Sequence, residues 1–264
     1  MSADAATTWG VGEYELIAQR LEPAAAAIVE LAGVSDRDRV LDVACGTGNA
    51  ALLAARRGAA VTGLDIEPRL LELARTRALA TALDIQWVCA DVEQATLDGA
   101  TFSVVVSAFG VMYAPGHDAG AAALARCCAP GARVALAAWT PGSFMPAMGG
   151  ALAQYLPPPP PGGGPPSRWG DPGAVAQLLE PHGLRIRESA TSSLSLSFAA
   201  RDQAVDFLIR TAGHVRAEQP RLERERRWQE LRRDLSELVA ARDESDGSGV
   251  QLPCEYLLVL ADRS

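Results

Sequence analysis

Apolar residues first recur at helical spacing. Leu16, Ile17, Leu21, Ala24, Ile28 and Leu31 predict a helix over Tyr14 to Ala32, stopped at Gly33. The period then shortens. Arg39 to Ala44 is a short apolar run that reads as a strand, and it opens into Cys45-Gly-Thr-Gly-Asn49. A helix follows through Leu52, Leu53 and Ala54 to Gly58. Ala60 to Leu64 predicts a second strand, closed by Asp65. Pro68 to Ala82 reads as a helix with proline just inside its start, and Ile85 to Cys89 as a third strand, closed by Asp91. Phe102 to Ser107 gives a fourth strand, His117 to Cys128 a helix, and Ala132 to Trp139 a fifth strand. Strands alternating with helices at this spacing imply a doubly wound α/β fold with a parallel sheet covered on both faces. The ligand crevice then belongs at the carboxyl ends of the strands, where the strand order switches.

The pattern changes after Trp139. A helix through Ala153 leads into Pro157 to Pro166, ten residues of only proline and glycine, which read as loop or polyproline. Gly173 to Glu180 looks helical, Leu194 to Phe198 alternates like a strand, and Asp202 to Ala212 is helical again. One longer helix is expected through Leu222, Trp228, Leu231, Leu235, Leu238 and Val239. Its Glu223/Arg227 spacing would add about 0.3–0.5 kcal/mol. Cys254 to Leu260 gives a final strand. This divides the chain into a helical leader or cap (1–35), a cofactor-binding core (36–140) and a segment with the substrate pocket, helical lid and final strands (141–264).

Composition narrows the function. With 264 residues, 48% hydrophobic and 21% charged, the chain can bury one large core. Its net charge of −8, without a basic block, argues against nucleic acid or an anionic membrane as partner. All 24 basic residues are arginine, which removes Schiff-base and P-loop lysine chemistry. The five cysteines form no CxxC pair and the three histidines are not clustered, so no metal site is expected. The uncharged stretch from Val134 to Ser167 is broken by prolines and is no membrane span. The N-terminus lacks signal-peptide features, and a cytoplasmic protein with reduced thiols is expected.

The glycine turn carries the chemistry. Gly46 and Gly48 let the backbone turn sharply from strand to helix and let a ligand approach the main chain. The helix N-terminus beyond them suits a carboxylate or a phosphate. A nicotinamide dinucleotide is one reading, since Gly46-Thr-Gly48-Asn-Ala-Ala51 fits G-x-G-x-x-A with Asp65 nineteen positions on. It would make the chain an oxidoreductase. Asp42 opposes it: a carboxylate about 4 Å from a phosphate charge costs roughly 4 kcal/mol at an effective dielectric of 20. Beside an ammonium the sign reverses, which favours S-adenosylmethionine.

The motif Val40-Leu-Asp-Val-Ala-Cys-Gly-Thr-Gly-Asn49 resembles the first motif of class I S-adenosylmethionine-dependent methyltransferases. Leu64 to Pro68 resembles their second motif, Ala90 to Val92 the third, Phe102 to Gly116 the fourth and Pro130 to Trp139 the fifth. Residues 7–21 look like the leader of the small-molecule, UbiE-like or type-11 subgroup. The resemblance implies a Rossmann-like seven-stranded sheet with a helical lid inserted before the last strand. It implies that Asp42 orients the methionine ammonium and that Ala44, Gly46 and Gly48 line the methionine. Asp65 would accept the ribose hydroxyls, Ile66 pack on adenine, Asp91 and Val92 read the adenine edge, and Ser107 offer its carbonyl near the amino group. Tyr14 joins these as a cofactor contact. Two positions depart from the family pattern: Ala44 replaces its first glycine, and Ser103 replaces an acid early in the fourth strand.

The acceptor is expected to be a small hydrophobic molecule, with S-adenosylhomocysteine as second product. Phe109, Met112, Tyr113 and Trp139 are the candidate substrate contacts, and each could equally be core. Alignment can supply roughly 7–11 kcal/mol of the acceleration, so a base is needed only when the attacking atom loses its proton. His117 is the candidate base, with His214 and Tyr14 behind it. A protein that binds the cofactor for cyclisation, or without turnover, is the remaining alternative. The expected assembly is a monomer or homodimer.

Overall fold

The computed structural model describes residues 8–95, 97, 101–158 and 163–264. Its first helix, α1 (Tyr14–Leu31), buries Ile17, Ala24, Ala25, Ile28 and Val29 on one stripe. Then β1 (Arg39–Val43), α2 (Asn49–Arg56), β2 (Ala60–Asp65), α3 (Pro68–Ala80), β3 (Ile85–Cys89), β4 (Phe102–Ala108), α4 (His117–Cys127) and β5 (Cys128–Trp139) follow in alternation. The remainder is α5 (Phe144–Leu152), α6 (Pro172–Leu179), β6 (Leu184–Phe198), α7 (Arg201–Thr211), α8 (Gly213–Arg224), α9 (Trp228–Arg242) and β7 (Val250–Arg263).

The seven strands form one sheet in the order β3-β2-β1-β4-β5-β7-β6. Neighbours from β3 through β5 run parallel, and β7 is antiparallel to both β5 and β6. Helices cover both faces, so the central strands read as continuous apolar runs rather than alternating ones: Val40, Leu41 and Val43 of β1 and Val104 to Val106 of β4 are fully buried. Winding reverses between β1 and β4, and their carboxyl ends therefore splay apart into a crevice. The helices α7 to α9 lie between β6 and β7 in sequence, in the place expected for a lid. No helix of the described residues is long and apolar enough to cross a membrane.

Three expectations differ from what is observed. The strand predicted over Leu194 to Phe198 is the last third of β6, which begins at Leu184. As the sheet's edge strand it pairs only with β7, and most of its first ten residues are exposed, so no alternation marks them. The long helix is broken. Arg226 takes φ 60°, α8 ends at Arg224, and α9 begins at Trp228. Its stripe of Trp228, Leu231, Leu235 and Val239 is buried as predicted. The break also removes the Glu223–Arg227 pair: Gln219 donates to Glu223, and Arg227 lies against Glu230 and over the Tyr155 ring.

Candidate active site

Beyond β1 the chain turns through Ala44 (φ 52°), Gly46 (φ 54°) and Gly48 (φ 81°) into α2. A side chain at Gly48 would stand 2.7 Å from the Trp87 ring, so space as well as backbone conformation requires glycine there. At Gly46 it would stand 3.1 Å from Cε1 of Tyr14 and fill the approach to the main chain. The turn is clamped from two sides. Arg77 of α3 donates to the Thr47 carbonyl (2.7 Å) and to Asn49 Oδ1 (2.8 Å), and Asn49 Nδ2 donates to the Ala18 carbonyl of α1 (2.6 Å).

Three carboxylates gather at the tips of the first three strands. Asp42 is 2% exposed and its Oδ2 accepts the Ala51 N–H at 2.9 Å. Burial, with the nearby Asp65 adding to it, pushes its carboxyl up to about 7. Asp65 accepts the Gly46 N–H on Oδ2 (2.7 Å) and the Glu67 N–H on Oδ1 (2.9 Å). Burial holds its pKa above the ordinary carboxylate value in spite of both bonds. Asp91 accepts from the Glu93 N–H at 3.0 Å, closing the turn after β3.

A cavity of about 240 Å³ runs across these tips. One half is walled by Ala44, Gly46, Asp65, Ile66, Asp91 and Val92. The other is apolar and aromatic. Phe109 leaves β4 with φ 57°, its N–H bonded to the Ala137 carbonyl and its ring stacked on Trp139 at 3.7 Å between centroids. Such a conformation costs a bulky residue on the order of 1–3 kcal/mol and is held here by its surroundings. Trp9, Tyr113, Met148, Leu208 and His214 complete that half. Among the described residues no arginine lines the cavity.

The leader closes one side of the cavity through ties to both halves. The Gly10 N–H donates to Glu67, which follows Ile66 and caps α3, and Arg69 donates to the Gly10 carbonyl. Toward the lid, the Glu13 N–H donates to the Arg210 carbonyl at 2.9 Å, and the two side chains pair.

Of the residues singled out in the sequence, Tyr14, Ala44, Gly46, Asp65, Ile66, Asp91, Val92, Phe109, Tyr113, Trp139 and His214 line this cavity. Asp42 lies behind it, on a small adjoining pocket shared with Tyr14, Cys45, Thr47 and Asn49. Gly48 shapes the turn. Ser107 is buried, its hydroxyl donating to the Val43 carbonyl (2.7 Å) and accepting the Val111 N–H (3.0 Å). Met112 is 1% exposed and is not on the wall. His117 is also away from it: its ring lies edge-on to Trp169, buried, with Nδ1 unpartnered. Residues 159–162 of the proline-glycine run lie outside the described residues, and the described remainder of the run does not reach the cavity. Ser103, at the position of the missing acid, donates to Asp38 and accepts the Arg39 N–H at the far end of the sheet. Met148, Leu208 and Arg77 carry no signal of their own in the sequence, because each serves the site through tertiary packing; Trp9 and Glu67 lie inside the leader and second-motif segments but are not singled out there.

A family model described as a methyltransferase domain matches residues 40–131. An uncharacterized protein of Mycobacterium tuberculosis H37Rv is 33% identical over 258 residues, 97% of this chain and 92% of its own. A second one from that strain is 36% identical over 200 residues, 75% of this chain and 73% of its own. Among solved structures, a putative methyltransferase from Bacillus halodurans shares the fold with TM-score 0.64 at 16% identity, over 90% of this chain and 98% of that one. Magnesium protoporphyrin IX methyltransferase from Synechocystis, with S-adenosylhomocysteine bound, does so at 0.54 and 13% identity, over 93% and 82%. Sheet order and the family match agree on a methyltransferase. This chain belongs to the class I S-adenosylmethionine-dependent methyltransferases.

Proposed function

We propose that the cavity takes S-adenosylmethionine along the tips of β1 to β3 and a small, uncharged, hydrophobic acceptor in its aromatic half, for O- or C-methylation. The observation that carries this reading is the character of the walls: acids on the strand tips and, among the described residues, no arginine. A sulfonium and an ammonium are attracted there, whereas a pyrophosphate would be repelled without a partner.

Each residue then has a task. Asp42 orients the ammonium, directly or through water, from the pocket behind the turn. The main chain at Ala44, Gly46 and Gly48 lines the methionine, with Tyr14 over Gly46. Asp65 exchanges the Gly46 N–H for the two ribose hydroxyls, a bidentate geometry that suits a carboxylate. Ile66 packs on the adenine, Asp91 accepts from its amino group, the Val92 N–H faces the ring, and the Ser107 carbonyl approaches the methionine amine. When bound, S-adenosylmethionine supplies an electrophilic methyl group. Phe109, Tyr113 and Trp139 hold the acceptor in line with that methyl and keep water out, so that alignment supplies much of the acceleration. Met112 supports this wall from the core.

Calorimetry tests the reading. Heat is expected with S-adenosylhomocysteine and none with NADH, and Asp65→Asn should weaken the former by at least about tenfold, the loss of one charge-assisted pair. Binding of NADH in preference, or an Asp65→Asn protein with unchanged affinity, would refute it.

A further inference from the structure

Among the described residues, the acceptor half of the cavity contains one group able to take a proton near neutral pH. His214 is the second residue of α8, half-buried, on the cavity wall, and edge-on to Trp9 with ring centroids 6.1 Å apart. The other polar groups there are committed or unsuitable. The Thr211 hydroxyl donates to the Phe207 carbonyl at 2.9 Å. Tyr14 and Tyr113 are pushed above the ordinary phenol value by burial, and Tyr14 also by Asp65, which makes both donors and not bases. Asp65 and Asp91 belong to the cofactor half, where backbone N–H groups hold them.

We propose that His214 is the general base of methyl transfer, removing the hydroxyl proton of an uncharged phenolic acceptor. This deepens the cofactor reading above and rests on it. The walls argue for a phenol. Trp9, Phe109, Tyr113 and Trp139 offer aromatic faces and edges to a flat ring, and among the described residues no arginine is there to receive a carboxylate or phosphate. Acidity argues the same way, because a phenol near pKa 10 lies within a few units of imidazole, as an aliphatic alcohol does not.

The electrostatics fit the sequence of events. Burial lowers the pKa of His214, and its place in the first turn of α8 adds the positive end of a helix dipole, so the imidazole is neutral and ready to accept. Tyr14 and Tyr113 share the cavity wall with it, the Glu13–Arg210 pair ties the leader to α7, and Arg216 lies two residues on along its own helix. Of the other charged groups on α7 and α8, Asp206 pairs with Arg232 and Glu218 with Arg221. In the step itself, the O–H proton passes to a ring nitrogen of His214. An oxygen lone pair forms the O–CH3 bond, and the breaking C–S pair stays on sulfur. Positive charge thus leaves the sulfonium as it appears on the imidazole, so the two cations never coexist in full. The proton leaves to solvent at the cavity mouth, where Tyr113 is exposed.

The test uses the full chain, S-adenosylmethionine and two probe phenols, 2-naphthol and the more acidic 4-nitrophenol, with His214→Gln. The native protein is expected to give the O-methyl product of both. His214→Gln should lower kcat on 2-naphthol about 10²–10⁴-fold at pH 7.5. On 4-nitrophenol, largely ionised at that pH, the loss should stay under about tenfold. An NMR titration of the ring protons that vanish in His214→Gln should give an ionisation below the ordinary value of about 6.5, matching the acidic limb of kcat/KM on 2-naphthol. Equal losses on both phenols, no loss on 2-naphthol, no O-methyl product from either, or an ionisation above the ordinary value would overturn the assignment. Failure of the cofactor reading is told apart by calorimetry: the native protein would then give no heat with S-adenosylhomocysteine, whereas an error confined to His214 leaves that heat intact.

Discussion

Replacing Asp42 by asparagine should move stability and cofactor affinity in opposite directions. The carboxyl is 2% exposed and titrates at about 7 instead of 3.8, because burial outweighs the single Ala51 N–H that it accepts. Holding the carboxyl near 7 weighs on the order of 4 kcal/mol against the ionised form in the ligand-free fold. The sign follows from proton counting. Between pH 3.8 and about 7 the folded chain keeps a proton that the unfolded chain has released, so this contribution is full below pH 3.8 and is lost as pH rises through 7. Asparagine carries no charge and still offers an oxygen to the Ala51 N–H. Allowing half of the penalty to relaxation, the variant gains about 2 kcal/mol at pH 8.5, which is roughly 4–8 °C in Tm for a chain of this size. At pH 5 more than half of the penalty has already gone, and the gain shrinks with it. The assay is urea unfolding of ligand-free protein at both pH values, paired with calorimetry of S-adenosylhomocysteine. Affinity should fall at least about tenfold, since a charge-assisted partner of the ammonium is lost. A variant less stable than the native chain at pH 8.5, or equally stabilised at both pH values, would refute the argument.

Two other perturbations probe the frame around the site. A side chain at Gly63 of β2 would stand 2.4 Å from the Trp87 ring and 3.1 Å from the sulfur of Cys45, so Gly63→Ala should cost about 1–3 kcal/mol by overpacking; most of that should return in a Trp87→Leu background, read by urea unfolding of the double-mutant cycle. His117→Leu addresses acid stability. Burial lowers the pKa of this imidazole, so its contribution is complete above about pH 6.5 and is lost as pH falls through the folded value; the variant should lose less stability between pH 7 and pH 5. A thousandfold fall in its kcat with unchanged affinity for S-adenosylhomocysteine would instead return His117 to the chemistry.

The two halves of the cavity differed in how far they could be read from the sequence, and topology explains why. Apart from Tyr14, the cofactor-side wall sits within a few residues of a strand end. Ala44 and Gly46 follow β1, Asp65 and Ile66 close β2, and Asp91 and Val92 follow β3. A parallel sheet forces those ends to one edge, so local patterns already fixed their neighbourhood. The acceptor side is assembled otherwise. Trp9, Tyr113, Met148, Leu208 and His214 come from the leader, a turn after β4, α5, α7 and α8, and they meet only because tertiary packing brings those elements over the crevice. His117 illustrates the limit. Its distance beyond β4 puts it at the correct end of the sheet, but α4 begins at that residue and turns the ring under Trp169. His214 stands well beyond the last motif, which ends at Trp139, yet the leader's bonds to Glu67 and Arg210 hold Trp9 against it. Chemistry that depends on the leader and lid together therefore responds to changes at either, even where the cofactor motifs are untouched.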